Sequence, residues 1–168
     1  DLGFLKDNTK DNIAHLNPYY AELTAWYWVW KNYLKVHPEL EYVGFCHYRR
    51  FLDFESPEFN KPFSNYLSKE SFKKALDKKY SYRNILSKVK DYDLILPKKY
   101  KLKKKMGGNI YEHYALNHPK KEIDKLINII NTYYPEYKQD MDEYLNGQEG
   151  YFCLNFLIKK EYFEELME

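Results

Sequence analysis

Glycine-rich phosphate loops, paired cysteines, zinc-ligand spacings and long apolar runs are all missing from this chain, and each absence removes a class of protein. No P-loop, dinucleotide fingerprint or nucleophile elbow occurs, which weakens nucleotide-triphosphatase, nicotinamide-enzyme and hydrolase readings. His15, His37, His113 and His118 form neither HExxH nor another recognisable zinc spacing. Cys46 and Cys153 stand in apolar, strand-like text outside any CxxC, so both are expected to be small buried hydrophobes rather than disulfide partners or thiolate sites. No apolar stretch is long enough to cross a bilayer and no secretory signal opens the chain, so a cytoplasmic location is the default expectation. A formal charge of +2 creates no overall demand for nucleic acid. The chain also lacks a coherent basic helix or ribonucleoprotein motif, and no nucleic-acid partner is expected.

What is present is aromatic and polar. Nineteen tyrosines among 168 residues can serve strand faces, core edges and ligand surfaces alike, and the length suits one compact domain spanning residues 1–168. The most informative run is EYVGFCHYRRF, Glu41 to Phe51. It has the pattern of a buried strand that delivers His47, Tyr48, Arg49 and Arg50 to its exit, where open α/β sheets place ligands. Gly44 allows close packing within that strand. Paired arginines grip phosphate or carboxylate bidentately, and a histidine supplies a group for proton transfer near neutral pH. Strand alternation leaves a second reading open, with one arginine at the surface and the other packing its aliphatic stem.

Polar residues from Asp7 to Pro18 read as a structured loop. Asn17 is the expected N-cap and Pro18 the first position of a helix running toward Lys35, closed by His37 and Pro38. Leu23, Trp26, Tyr27, Trp30 and Leu34 form its apolar face, with Leu23, Trp26 and Trp30 expected to be buried against Val43, Phe45 and Leu157; Trp28 falls on another side. Further helices are expected at 68–79, 110–117, 120–134 and 160–167, with strands at 92–96 and 151–158. Residues 53–62 read as an irregular loop.

The lysine-rich stretch Lys98 to Asn109, KKYKLKKKMGGN, reads either as a hydrated loop or as a grip for phosphates or acidic lipid headgroups. Gly107 and Gly108 supply a turn there. The DYD of Asp91 and Asp93 precedes its strand, the wrong end for a metal-binding carboxylate pair, and the DMD of Asp140 and Asp142 needs no more than solvation or capping. Asp53 and Glu55 lie just beyond the arginines and are placed to neutralise them or approach a ligand. Glu112 and His113, adjacent in YEHY, point differently on a helix and do not define an acid–base pair.

Three blocks in order carry a family resemblance: DNIAHLNPYYAELTAWYWVWKN at Asp11 to Asn32, YVGFCHYRRF at Tyr42 to Phe51, and LNFLIKKEYF at Leu154 to Phe163, supported by DLILPKK and YEHY. Together they resemble the bacterial domain family of formally unknown function attached to capsular and exopolysaccharide synthesis proteins, commonly regarded as glycosyltransferases. The resemblance implies an α/β fold, a glycosyltransferase-A-like mixed sheet with flanking helices. It is incomplete, because the strand and small loop that open the family pattern before DLGFL are absent here. It further implies transfer of a sugar from a nucleotide-diphosphate donor to a cell-surface polysaccharide, with a glycan or lipid-linked acceptor, at the inner face of the membrane through peripheral association.

Carried over residue by residue, Asp11, Asn12, Arg49 and Arg50 become the donor-binding candidates, Glu22 and His47 the catalytic ones, and Asn155 a pocket or acceptor-side residue. A divalent cation, magnesium or manganese, is compatible with such chemistry, although no ligand set for it is assigned. The contrasting reading is a noncatalytic glycan- or nucleotide-binding module in a polysaccharide assembly system, using tyrosine stacking and arginine recognition without turnover.

Overall fold

A computed structural model describes residues 4–47, 51–52, 62–63, 82–152 and 154–168. The chain divides into two compact units. The architecture is mixed α/β, with small open sheets flanked by helices.

The first unit contains the described residues 4–46, 82–95 and 156–168. Its sheet has the order β1 (Tyr42–Phe45), β7 (Phe156–Lys159), β4 (Leu94–Ile95), and both ladders are antiparallel. The central strand β7 alternates as its period demands, with Phe156 and Ile158 buried and Leu157 and Lys159 half-buried. Gly44 faces Leu157 across the ladder, where a Cβ would stand 2.8 Å from Leu157 Cδ1, so the close approach expected from the sequence is real. Residues 82–89 form the helix Tyr82–Val89, whose Val89 is fully buried; Ile85, Leu86 and Val89 gave that helix a legible apolar spacing that the sequence reading passed over. The helix expected at 68–79 and the Asp53–Glu55 loop lie outside the described residues, and so does Cys153.

The long amino-terminal helix is not continuous. Asn17–Tyr20 makes one turn (α1), Leu23–Trp28 the next segment (α2), followed by a π-helical stretch, Val29–Tyr33, and a last turn, Leu34–Val36. Asn17 is not the N-cap. It lies inside α1 and donates its amide to the Ala21 carbonyl at 2.8 Å and to Thr24 Oγ1 at 3.2 Å. Ala21 sits at φ 46°, a left-handed value rare for a residue with a Cβ, and that reversal breaks the helix. Side-chain hydrogen bonds to local backbone compete with the helix ladder, which propensity alone does not register.

The break changes which aromatics are covered. Leu23 is exposed, contrary to expectation, while Trp26 packs on Phe45 and Phe156 with ring centroids 5.0 and 4.8 Å away. Trp30 is half-buried and Trp28 is as buried as Trp26. Trp28 gains its cover from the amino-terminal loop, whose Thr9 carbonyl accepts from the indole Nε1 at 2.8 Å. Phe163 of the final helix, Lys160–Met167, is fully buried and stacks on Phe45 at 5.5 Å. Cys46 is exposed rather than buried, because the strand ends one residue before it.

The second unit contains the described residues 47, 51–52, 62–63, 96–152 and 154–155. Its helices are Ile110–Asn117, Lys120–Tyr133 and Lys138–Asn146; the first two match the expected periodicity, and the third contains Asp140 and Asp142. Lys138 pairs with Asp142 at 2.9 Å on the exposed side. The lysine-rich stretch is ordered: Tyr100–Lys101 (β5) pairs with Glu149–Gly150 (β6), and Lys104–Met106 forms a 3-10 turn. The strand expected at 151–158 is therefore shorter, beginning at Phe156, with Glu149–Gly150 paired separately. Asn109 caps Ile110–Asn117 by accepting from Glu112 N at 2.8 Å, and the Glu112 carboxylate accepts from Gly108 N. A two-residue ladder joins Phe51–Leu52 (β2) to Pro62–Phe63 (β3).

Candidate functional site

The exit of β1 is organised by one buried amide. Asn155, just before β7, is 1% exposed, and its Oδ1 accepts a hydrogen bond from His47 N at 2.7 Å. That N–H donor fixes which end of the amide is oxygen, so Nδ2 points the other way. Among the described residues, this Nδ2 is a buried donor with no hydrogen-bond partner. A buried amide donor of this kind ordinarily finds a hydrogen-bond partner. His47 and Asn155, assigned separate roles from the sequence, are thus brought into direct contact. Arg49 and Arg50 lie outside the described residues, and so does Tyr48.

In the first unit the loop bearing Asp11 and Asn12 is stapled to the amino-terminal helix. Thr24 Oγ1 donates to Asp7 Oδ2 at 2.7 Å, Asn32 Nδ2 to the Asp11 carbonyl at 2.6 Å, and Tyr27 OH to Asp11 Oδ1 at 3.1 Å. Removal from water, followed by the Asp11 carboxylate, raises the Tyr27 phenol above its ordinary pKa. Asn12 closes a local turn: its Nδ2 donates to the Lys10 carbonyl at 2.8 Å and its Oδ1 accepts from Ala14 N at 3.2 Å. Glu22 is exposed at the head of α2, where its carbonyl accepts from Ala25 N at 3.0 Å. These contacts expose what the sequence reading missed. Thr24, Trp28 and Asn32, four residues apart, form a stripe whose polar groups hold the loop, and two polar residues flanking a tryptophan at that spacing were the signal.

In the first unit a groove of about 480 Å3 lies beside the start of β1, lined by Glu41, Tyr42, Lys90, Lys159, Lys160, Glu161 and Glu164. Lys159 meets Asp93 at 2.6 Å, and this hydrogen-bonded carboxylate raises the lysine above its ordinary pKa. Asp93 is therefore an ion-pair partner immediately before β4. Among the described residues no group of three or more His, Cys, Asp or Glu side chains is placed to hold a metal ion. No helix among them is long and apolar enough to cross a membrane.

Comparison with solved structures finds the WbbM bifunctional glycosyltransferase in its apo form, 33% identical with a TM-score of 0.77, matched over 96% of this chain and 28% of that one. The present chain therefore spans little more than a quarter of that relative. Comparison with curated proteins finds no match. The model of a family described as a domain of unknown function, DUF4422, matches residues 1–168, the full length given, and the chain belongs to that family.

Proposed function

We propose that this chain is a glycosyltransferase domain of glycosyltransferase-A-like type, transferring a sugar from a nucleotide-diphosphate donor to a glycan or lipid-linked acceptor in cell-surface polysaccharide synthesis, on the cytoplasmic side of the membrane. The observation that carries this reading is 33% identity to a bifunctional glycosyltransferase along 96% of the chain. In the reaction the bond from the anomeric carbon to the diphosphate breaks, a bond to the acceptor oxygen forms, and the acceptor proton passes to a base. The protein's task is to align the two substrates and to stabilise the charge that develops on the leaving diphosphate.

Arg49 and Arg50 are assigned to that diphosphate, for which guanidinium forks are suited. Asn155 is a positioning residue through its hydrogen bond to His47 N, two residues before Arg49. Asp11 and Asn12 are assigned to the donor's ribose side, on a loop held by Tyr27 and Asn32. Glu22, an exposed carboxylate, is assigned to the acceptor hydroxyl, and His47 to proton handling at the leaving side. Among the described residues no group of three or more His, Cys, Asp or Glu side chains is placed to hold magnesium or manganese.

The test is a panel of nucleotide sugars offered to the intact protein with glycan acceptors, scored for donor binding and for sugar transfer. Transfer from one donor, with R49A and R50A each lowering donor binding at least tenfold, is the expected result. Binding with no donor consumption across the panel would make the domain a recognition module, and the absence of both binding and transfer would overturn the reading.

A further inference from the structure

Six of the eight residues from Lys98 to Lys105 are lysines and none is acidic. They exceed the whole net charge of +2, so the rest of the chain carries −4. Such a run in a free chain would repel itself and spread. Here its backbone is paired and turned. Tyr100 and Lys101 pair with Gly150 and Glu149, Leu102 is buried and donates its N–H to the Gln148 carbonyl at 2.8 Å, and Met106 N closes a 3-10 turn onto the Lys103 carbonyl at 2.8 Å. The buried Leu102 turns its neighbours outward, leaving Lys101, Lys103, Lys104 and Lys105 exposed. Tyr100 and Tyr151 are exposed beside them, with Lys99 Nζ 5.6 Å from the centre of the Tyr151 ring.

We propose that this ordered lysine ridge docks the protein on an anionic lipid bilayer. The chemistry favours that partner over others. Lysines are compact, hydrated point charges that gain from a diffuse negative surface potential without needing directional contacts, each contributing about a fivefold gain in partitioning. Arginine, the residue that forks onto single phosphates and base edges, is absent from the ridge. Exposed tyrosines combine an apolar ring with a polar tip, the amphipathic form enriched at headgroup depth. Docking through the ridge is independent of whether the domain transfers a sugar.

The test is co-sedimentation of the intact protein with vesicles of 30% phosphatidylglycerol and 70% phosphatidylcholine, against pure phosphatidylcholine. Binding to the anionic vesicles alone is expected, with release in 0.5 M salt, where the Debye length falls below about 5 Å. The variant K101Q/K103Q/K104Q/K105Q should lose at least about 100-fold in partitioning, from the fivefold contribution per lysine. The matching K101R/K103R/K104R/K105R variant should bind like the wild type. K31Q/K35Q/K121Q/K125Q removes the same charge elsewhere and should change partitioning less than about threefold. Equal loss in that control, equal binding to neutral vesicles, salt-insensitive binding, or capture of a labelled oligonucleotide without vesicle binding would each overturn the proposal. If the quadruple glutamine variant folds poorly, the single variants K101Q, K103Q, K104Q and K105Q should each lose about fivefold in partitioning, and no loss in any of them would overturn the proposal.

Discussion

Replacing Asn155 tests the structural basis of the candidate site directly. In N155A the Oδ1 acceptor of the part-buried His47 N–H is lost, and a hydrogen bond of this kind contributes about 0.5–1.5 kcal/mol. The lost bond and the small void left behind together give a destabilisation of about 1–2 kcal/mol, concentrated at His47. Amide hydrogen exchange reads it locally: the His47 N–H should lose protection by about 5–30-fold, since 1.4 kcal/mol corresponds to a factor of ten.

N155D separates acceptor from charge. It retains an oxygen facing His47 N, but an ionised carboxylate at a position 1% exposed carries a desolvation cost of several kcal/mol. Burial raises such a carboxyl's pKa, so stability is fully present below its unfolded value near 3.9 and is lost as pH rises through the folded value. N155D should therefore be less stable than N155A at pH 7 and recover toward it in acid. If His47 exchange is unchanged in N155A and the two variants have parallel pH profiles, Asn155 does not clamp the β1 exit and its assignment as a positioning residue fails.

Gly107 lies at φ 101°, and an added Cβ would stand 2.8 Å from His113 N, so G107A should lower stability by at least about 1–3 kcal/mol in urea unfolding; G108A, whose Cβ meets the side-chain carboxylate of Glu112 rather than backbone, should cost less, and the reverse order would refute the backbone argument. W28F removes the indole hydrogen bond to the Thr9 carbonyl and should cost about 0.5–1.5 kcal/mol, seen as faster amide exchange along residues 7–12, whereas unchanged exchange would mean that Trp28 does not staple the loop. Lys159 is raised above its ordinary value of 10.5 by the Asp93 carboxylate, so the pair's contribution is present below that pH and fades as pH climbs through the raised value. In D93N the Lys159 titration followed by NMR should move down toward 10.5, and an unmoved titration would exclude Asp93 as the cause.

Elements set by short-range signals were legible without a structure. Apolar spacing and Pro119 delimit Ile110–Asn117 and Lys120–Tyr133, and the periodicity near the end specifies Lys160–Met167, because backbone geometry repeats every few residues and side chains must follow it. The same holds for β1 and for Gly44, whose missing side chain marks a close strand crossing. Tertiary structure decided what depends on partners far along the chain. Trp28 is buried because a polar loop folds back over it, and the helix breaks at Ala21 because Asn17 reaches forward to its carbonyl. The His47–Asn155 contact joins residues 108 apart, so no local pattern announces it. A buried amide's hydrogen bonds are satisfied by whichever groups the fold brings within about 3 Å, and that neighbourhood exists only once distant segments have packed.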